Sequence, residues 1–193
     1  MTGRRSAVRH RVDGPRRGPA RGQAIVEFAL ILPLFMLVLM GALEFGSAYD
    51  HRGAMAYAVR EGARVGASLG KGGSNPNGVD PTIVAAVQRG LTGPILIENI
   101  ASIEIFKSDL SGNPVPGKVN KYDRFGALVG TAGWPASTRV PGLNGDSIGV
   151  LVRYDFHPTT PLGSLLGLIF GGNPPYTTLP MTDSRVFRLE PVP

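Results

Sequence analysis

One acidic side chain, Glu27, lies inside the most apolar stretch of the sequence. Residues 24–43 contain no other charged side chain. A carboxylate near the centre of a bilayer costs about 2.5 kcal/mol or more, and it costs less near the interface. Glu27 therefore either lies at headgroup depth and extends towards the interface, or contacts a cation inside a protein assembly. Only the second alternative gives this residue a chemical role.

The residues just before Glu27 indicate where such a cation could come from. Gly22 ends a basic leader and is followed directly by Gln23. Cleavage after Gly22 would create an α-ammonium group at Gln23 and would make Glu27 the fifth residue of the product. These two positions lie one helical turn apart, so the ammonium could pair with Glu27 of the same or a neighbouring subunit. Such a pair would offset the cost of burying either charge.

Elsewhere the sequence contains few residues that could perform catalysis or bind a metal. It has no cysteine, and no acidic cluster lies near His10, His51 or His157. No serine lies in a nucleophile elbow, and the glycine-rich residues 70–78 lack the Gly-Lys-Ser/Thr ending of a phosphate loop. We therefore predict that the protein is not an enzyme and uses neither a metal nor a cofactor.

The basic character of the chain is confined to its first 22 residues. The formal net charge is +6, and residues 1–22 hold seven arginines and one aspartate. Residues 23–193 hold 13 basic and 13 acidic side chains and are therefore neutral. A nucleic-acid-binding protein needs basic residues on a folded face. The high pI thus describes a leader, and we predict that nucleic acid is not a partner.

The apolar stretch itself predicts a membrane anchor. Residues 24–43 number 20, and a bilayer core requires about 20 residues at 1.5 Å each. Pro33 is tolerated in a membrane helix as a kink. Arginines precede the stretch, whereas Glu44 and Asp50 follow it. The positive-inside rule then predicts a single-pass protein of the cytoplasmic membrane, with a cytoplasmic N-terminus and an extracytoplasmic C-terminal domain.

Helix-compatible sequence continues beyond this stretch to residue 69, and small side chains repeat along it every four residues. They are Ala54, Ala58, Gly62 and Gly66. Such a stripe lets another backbone approach closely. It predicts either a subunit–subunit seam or packing on the sheet of the same chain. Arg60, Glu61 and Arg64 form a polar face, on which Glu61 and Arg64 lie one turn apart.

The remaining residues predict an α+β domain. We expect a helix over 82–91 with Asp80 as its N-cap, strands over 100–106, 148–156 and 181–189, and an irregular Gly/Pro-rich insertion near 111–145. Residues 162–170 are apolar but too few to span a bilayer, so they form a loop or short helix that caps the domain or contacts a membrane or partner. The predicted organisation is a leader (1–22), a transmembrane helix (23–43), its continuation as a spine (44–69), and a small antiparallel β head (70–193).

Several short motifs occur in a fixed order along the chain. They are Gly22-Gln23-Ala24-Ile25-Val26-Glu27-Phe28, Leu32-Pro33-Leu34, Glu44-Phe45-Gly46, Ala58-Val59-Arg60-Glu61-Gly62-Ala63-Arg64, and the segment 150–156 followed by Pro158 and Pro161. The first, together with the basic leader, resembles a type IV prepilin signal. The series as a whole resembles the TadE-like proteins of tight-adherence (Flp) pilus systems. The resemblance is tight over residues 21–69 and loose over 146–190.

The resemblance implies a pilin-like fold and a role as a minor pilin or pseudopilin. It implies cleavage after Gly22 by a prepilin peptidase, usually followed by N-methylation of Gln23. It also implies that Glu27 and Phe28 act in assembly, with other pilin or pseudopilin subunits and the pilus assembly machinery as partners. The protein would then lie in the cytoplasmic membrane, at the cell surface or in the pilus.

Two alternatives to this interpretation remain open. In the first, the protein is an unprocessed single-pass membrane protein with an extracytoplasmic domain. In the second, it is a secreted soluble protein, because Gly46-Ser47-Ala48 places small residues at the positions that a signal peptidase reads. The cut would then fall after Ala48. Against this alternative, the uncharged run of residues 28–43 is slightly long for a signal core.

Overall fold

The computed structural model describes residues 20–91, 93–171 and 178–190. Its elements are, in chain order, helix α1 (Ala20–Leu69), helix α2 (Val79–Gly90), strands β1 (Ile100–Ser108), β2 (Pro114–Tyr122) and β3 (Ser147–Phe156), helix α3 (Leu162–Phe170) and strand β4 (Leu179–Arg188). The predicted α+β fold, in which a long N-terminal apolar helix precedes an antiparallel sheet, is confirmed. Of the predicted leader, residues 1–19 lie outside the described residues. The chain divides into two units, Met1–Leu39 and Met40–Pro193.

The described part of the first unit is an apolar helix with large exposed side chains. Ile25, Phe28 and Leu30 are 70%, 63% and 74% exposed, and Pro33 lies within the helix. A helix that is apolar on all sides requires an apolar environment such as lipid. The helical residues Gly22–Leu69 include a segment long and apolar enough to cross a membrane. One N-terminal helix of this kind suggests membrane anchoring.

The second unit contains a four-stranded antiparallel sheet with the order β2-β1-β3-β4. On β3, Ile148, Val150, Val152, Tyr154 and Phe156 alternate along the strand and are all buried. This period of two places them on one face of the sheet. The second half of α1, helix α2, strand β1 and the loop that holds Trp134 contribute to the same hydrophobic core. Helix α1 ends at Leu69 and is followed by Gly70, whose positive φ of 56° suits glycine at a helix C-terminus.

The region predicted to be irregular contains strand β2, which is a difference from expectation. β2 pairs with β1 from Phe106 opposite Val119 to Ile103 opposite Tyr122. Its sequence includes two prolines and a glycine, which weaken the local strand signal. Proline is tolerated here because β2 lies at the edge of the sheet, where unpaired backbone groups are permitted. Tertiary pairing with β1 therefore makes this segment a strand.

A buried polar network holds the loop that follows β2. Asp80 Oδ2 accepts hydrogen bonds from Asn120 Nδ2 at 2.7 Å and from the Tyr122 hydroxyl at 2.9 Å, and Arg139 Nη2 lies 2.6 Å from Asp80 Oδ1. The Arg139 guanidinium also lies 4.6 Å from the centre of the Trp134 ring. Burial and the Asp80 carboxylate raise the pKa of Tyr122, which keeps its hydroxyl a donor.

This network corrects the prediction that Asp80 is the N-cap of α2. The helix begins at Val79, its N-cap is Gly78, and no side chain caps it. Asp80 is 7% exposed and accepts its hydrogen bonds from β2. An aspartate beside a proline is a common N-cap signal. Asp80 does not cap the helix here because its carboxylate forms an ion pair with Arg139, which is 2% exposed.

Candidate functional site

The predicted processing segment lies on the exposed N-terminal part of α1. Gln23 Nε2 donates a hydrogen bond to Glu27 Oε1 at 2.8 Å. Gly22, Gln23, Glu27 and Phe28 are all exposed. Apart from its chain neighbours and the backbone of its own helix, no described residue lies within 4 Å of the position that a Cβ at Gly22 would occupy. The side chains of residues 23 and 27 are therefore in contact, and the peptide that follows Gly22 lies on an uncovered surface.

The contact between Gln23 and Glu27 shows that a charge at residue 23 would lie close to the Glu27 carboxylate. In the intact chain the backbone nitrogen of Gln23 is a neutral amide, and among the described residues the Glu27 carboxylate accepts a hydrogen bond from the Gln23 side-chain amide. An α-ammonium at Gln23 would lie on the same turn and would add a full positive charge close to this carboxylate. The exposed Glu27 also leaves room for a cation from another chain.

The stripe of small residues packs within the second unit. Ala58 is fully buried, and Gly62 and Gly66 are also buried. A Cβ at Gly62 would overlap Val87 Cγ2 of α2, and one at Gly66 would lie 2.9 Å from Ile148 Cδ1 of β3. Ala54 is half-buried at the edge of the same core. Of the two alternatives, the structure therefore favours packing against the same chain, because α2 and the sheet occupy the space of a subunit seam.

The predicted polar face of the spine is exposed. Arg64 makes a bidentate contact with Glu61, with Nη2 to Oε1 at 2.7 Å and Nε to Oε2 at 2.9 Å. This hydrogen-bonded arginine lowers the pKa of Glu61, and the same contact raises the pKa of Arg64. Arg60 is exposed beside them. This face, unlike the small-residue stripe, is available to another protein.

A second site, at Glu44, was not predicted as a site from the sequence. The Glu44 carboxylate is 6% exposed and accepts three hydrogen bonds from the loop that follows β3. Oε1 accepts from the Thr159 amide at 3.0 Å, and Oε2 accepts from the Thr160 amide at 3.0 Å and the Thr160 hydroxyl at 2.6 Å. The sequence signal was an acid directly after the apolar stretch, but its partners lie 115 and 116 residues away.

His51 continues the contact surface that begins at Glu44. It lies seven residues later, which is two turns along the same face of the helix. Its ring is 7% exposed and lies 4.9 Å from the Phe156 ring and 5.6 Å from the Tyr154 ring. Its Nδ1 atom lies 2.7 Å from the Ser47 carbonyl oxygen. Glu44 and His51 together fix this part of α1 to the end of β3 and the loop after it.

Within the described residues, no group of three or more His, Asp or Glu side chains is arranged to hold a metal ion. The two regions offer other chemistry. The segment around Gly22 presents a peptide bond and a carboxylate on an exposed helix. The region around Glu44 is a buried anchor point between the helix and the sheet.

Comparison with known proteins gives one match. The family model described as TadE-like protein matches residues 22–64. Searches of curated proteins and of solved structures give no match. The matched range begins at Gly22 and ends at Arg64, so it includes Glu27, Glu44 and the motif at residues 58–64, and it excludes the sheet. The resemblance inferred from these motifs is thus confirmed, and the matched residues 22–64 are called the TadE-like segment.

Proposed function

We propose that the protein is a membrane-anchored, pilin-like subunit that is cleaved after Gly22 and takes part in the assembly of tight-adherence pili. The observation that carries the proposal is the TadE-like match over residues 22–64, which covers the whole apolar part of α1. That family suggests a pilus-associated, membrane-anchored and non-enzymatic protein. Cleavage, topology and the role in assembly are the finer parts of the proposal.

Cleavage would change the charge of the anchor. Removal of residues 1–22 removes seven arginines and one aspartate, and the product gains an ammonium at Gln23. Glu27 then has a cation within reach, in its own chain or a neighbouring one, which lowers the cost of holding a carboxylate in an apolar environment. In this proposal Phe28 and the apolar residues after it form the surface that contacts other pilin or pseudopilin subunits.

The positive-inside rule supports an orientation with residues 1–22 in the cytoplasm. A prepilin peptidase would then act on the cytoplasmic side of the membrane, and the sheet would lie outside the cytoplasm. Secretion after a cut at Ala48 is less well supported, because it would remove Glu44 from the folded unit. The backbone amides of Thr159 and Thr160 would lose their acceptor.

The mature N-terminus distinguishes this proposal from its alternatives. We expect mass spectrometry of the membrane-extracted protein to find Gln23, with or without a methyl group, at the N-terminus. We also expect Gly22→Leu to abolish the cut. Gly46→Leu is the matched control, since Gly46 likewise has no atom near its Cβ position and the substitution removes a small residue read by a signal peptidase. A product that begins at Met1 or Tyr49 would contradict the proposal.

The same experiment has a second arm at Glu27. We expect Glu27→Gln to be cleaved normally and to be incorporated into pili or assembly complexes at a level reduced several-fold, because the neutral amide cannot form an ion pair with an ammonium. Glu61→Gln makes the same change outside the apolar segment and serves as the control. Normal incorporation of Glu27→Gln would contradict the assembly role of this carboxylate.

A further inference from the structure

We propose that α3 binds the lipid surface of the membrane in which the chain is anchored, and so forms a second membrane contact. This inference rests on the anchoring part of the proposed function, and it is independent of cleavage and of the role in pili. It concerns a helix outside the TadE-like segment. Three observations support it: the composition of α3, its position beside Glu44, and the accessible apolar surface of its described leucines.

The composition of α3 suits an interface between lipid and water. The helix has nine residues, Leu-Gly-Ser-Leu-Leu-Gly-Leu-Ile-Phe, of which six are large and apolar and none is charged. The sequence contains no Asp, Glu, Lys or Arg between Asp155 and Asp183. Charged groups are costly below the headgroups, so a segment that enters this region must lack them.

The position of α3 is fixed by Glu44, the first residue after the uncharged run that ends at Leu43. The loop of Thr159 and Thr160 donates three hydrogen bonds to this carboxylate. Helix α3 begins at Leu162, two residues after Thr160, so its start lies within about 7 Å of that anchor point along the chain. The apolar helix therefore begins next to the point where the predicted membrane segment ends.

The three leucines of α3 whose side chains the structure describes lie outside the core cluster between α1, α2 and the sheet. Leu162 is 8% exposed, and Leu165 and Leu166 are half-buried, yet none of these three described side chains belongs to the core cluster. Ser164 is exposed. Part of the apolar surface of Leu165 and Leu166 therefore remains accessible and is not covered by this core.

The length of α3 determines whether it can span the membrane or lie in its interface. Nine residues give a helix of about 13 Å, which is far shorter than the roughly 30 Å of a bilayer core. A helix of this length can lie in the interface, with its apolar side about 5–10 Å into the boundary between headgroups and acyl chains. Lipid is favoured over a protein partner because the start of α3 lies beside the predicted end of the membrane segment.

The test uses the full chain reconstituted in phosphatidylcholine–phosphatidylglycerol vesicles. Because the sequence has no cysteine, single cysteines carry an environment-sensitive dye at Ser164→Cys in α3, Val38→Cys in the anchor, or Ser111→Cys. The exposed Ser111 follows β1 at the end of the sheet opposite to α3, roughly 30 Å away along the ten residues of β3. Lipids with a shallow doxyl quencher then report contact with the bilayer, and Trp134 fluorescence reports that each variant is folded.

We expect the quencher to reduce the fluorescence at positions 38 and 164 roughly twofold and to leave position 111 unchanged. Quenching at 38 without quenching at 164 would overturn the inference and leave the anchor intact. Loss of quenching at 38 would instead contradict the anchor and hence the proposed function. A dye signal at 164 that grows with the protein-to-lipid ratio, without quenching, would identify a second copy of the chain as the occupant and would also overturn the inference.

Discussion

The two halves of helix α1 meet different surroundings although they belong to one continuous helix. In residues 24–43 most of the large apolar side chains are exposed, as at Leu30, which is 74% exposed. In residues 44–69 the buried side chains are mostly small, as at Ala58 and Ala63, which are fully buried. The first half displays apolar surface on all sides, and the second half buries one face and leaves Arg60 and Arg64 exposed.

The difference shows that the partner of a helix, rather than its backbone, determines which side chains it needs. Lipid, the predicted surroundings of the first half, is fluid and accommodates any large apolar side chain. Side chains of the first half therefore need to be large and apolar but need no particular shape. The head of the same chain is solid, with Val87 and Ile83 against Gly62 and Gly66, so the second half requires small residues at fixed positions. The following substitutions test this contrast, in order of decreasing effect.

The largest effect is expected from shortening one methionine in each half. Met55 is 1% exposed and lies in the core, whereas Met36 is 37% exposed in the apolar half. Met55→Ala should lower the free energy of unfolding of the head by about 2–5 kcal/mol, because it removes buried methylenes and leaves a cavity. Met36→Ala should change it by no more than about 0.5 kcal/mol.

Denaturant unfolding of the full chain in micelles, followed by the fluorescence of Trp134, measures both values. Trp134 is the single tryptophan and is 2% exposed, so its emission reports the head. Equal losses in the two variants would contradict the contrast between the halves.

A smaller effect is expected from adding one methyl group to a glycine on each face of the second half. A Cβ at Gly62 would overlap Val87, whereas one at Gly53 would meet nothing within 4 Å. Gly62→Ala should destabilise the head relative to Gly53→Ala by about 1–3 kcal/mol, since both gain the same helix propensity and only Gly62 is overpacked. The same unfolding assay measures the difference. If Gly62→Ala were as stable as Gly53→Ala, the packing of the stripe on α2 would be wrong.

The smallest effect is expected on the exposed face, where Arg64 lowers the pKa of Glu61. A carboxyl group whose pKa is lowered on folding contributes stability above its unfolded pKa of about 4.3, and this contribution is lost as the pH falls through the folded value. Glu61→Gln should therefore be slightly less stable than the wild type at pH 7, and this difference should shrink as the pH falls below about 4.3. Arg64→Gln should show the same loss, and Arg60→Gln should not. A pH-independent difference for Glu61→Gln would exclude the ion pair as its cause.

Much of the anchor could be predicted from the sequence because its physical basis is local. Twenty consecutive residues with one charge predict a membrane helix by length and composition, and residues one turn apart must be neighbours. The contacts between Gln23 and Glu27 and between Glu61 and Arg64 follow from helical geometry alone. The motifs around them also lie close together in sequence, which made the TadE-like resemblance visible.

The head could be predicted only in part. Strands β1 and β3 show patterns of apolar residues, whereas β2 contains Pro114, Pro116 and Gly117 and becomes a strand by pairing with β1. The local sequence at Asp80 predicted an N-cap. In the structure Asp80 instead pairs with a buried arginine that lies 59 residues later in the sequence. The small-residue stripe was compatible with two partners, and the packing of α2 and β3 against Gly62 and Gly66 favoured one of them.

The sequence by itself determined the long apolar helix, the confinement of the net positive charge to residues 1–22, the α+β class and the neighbours along α1. Each of these depends on composition or on spacing within a few helical turns. Only the tertiary structure decided the roles of Glu44, Asp80 and the stripe. Their partners lie tens to more than one hundred residues away, and folding alone brings them into contact.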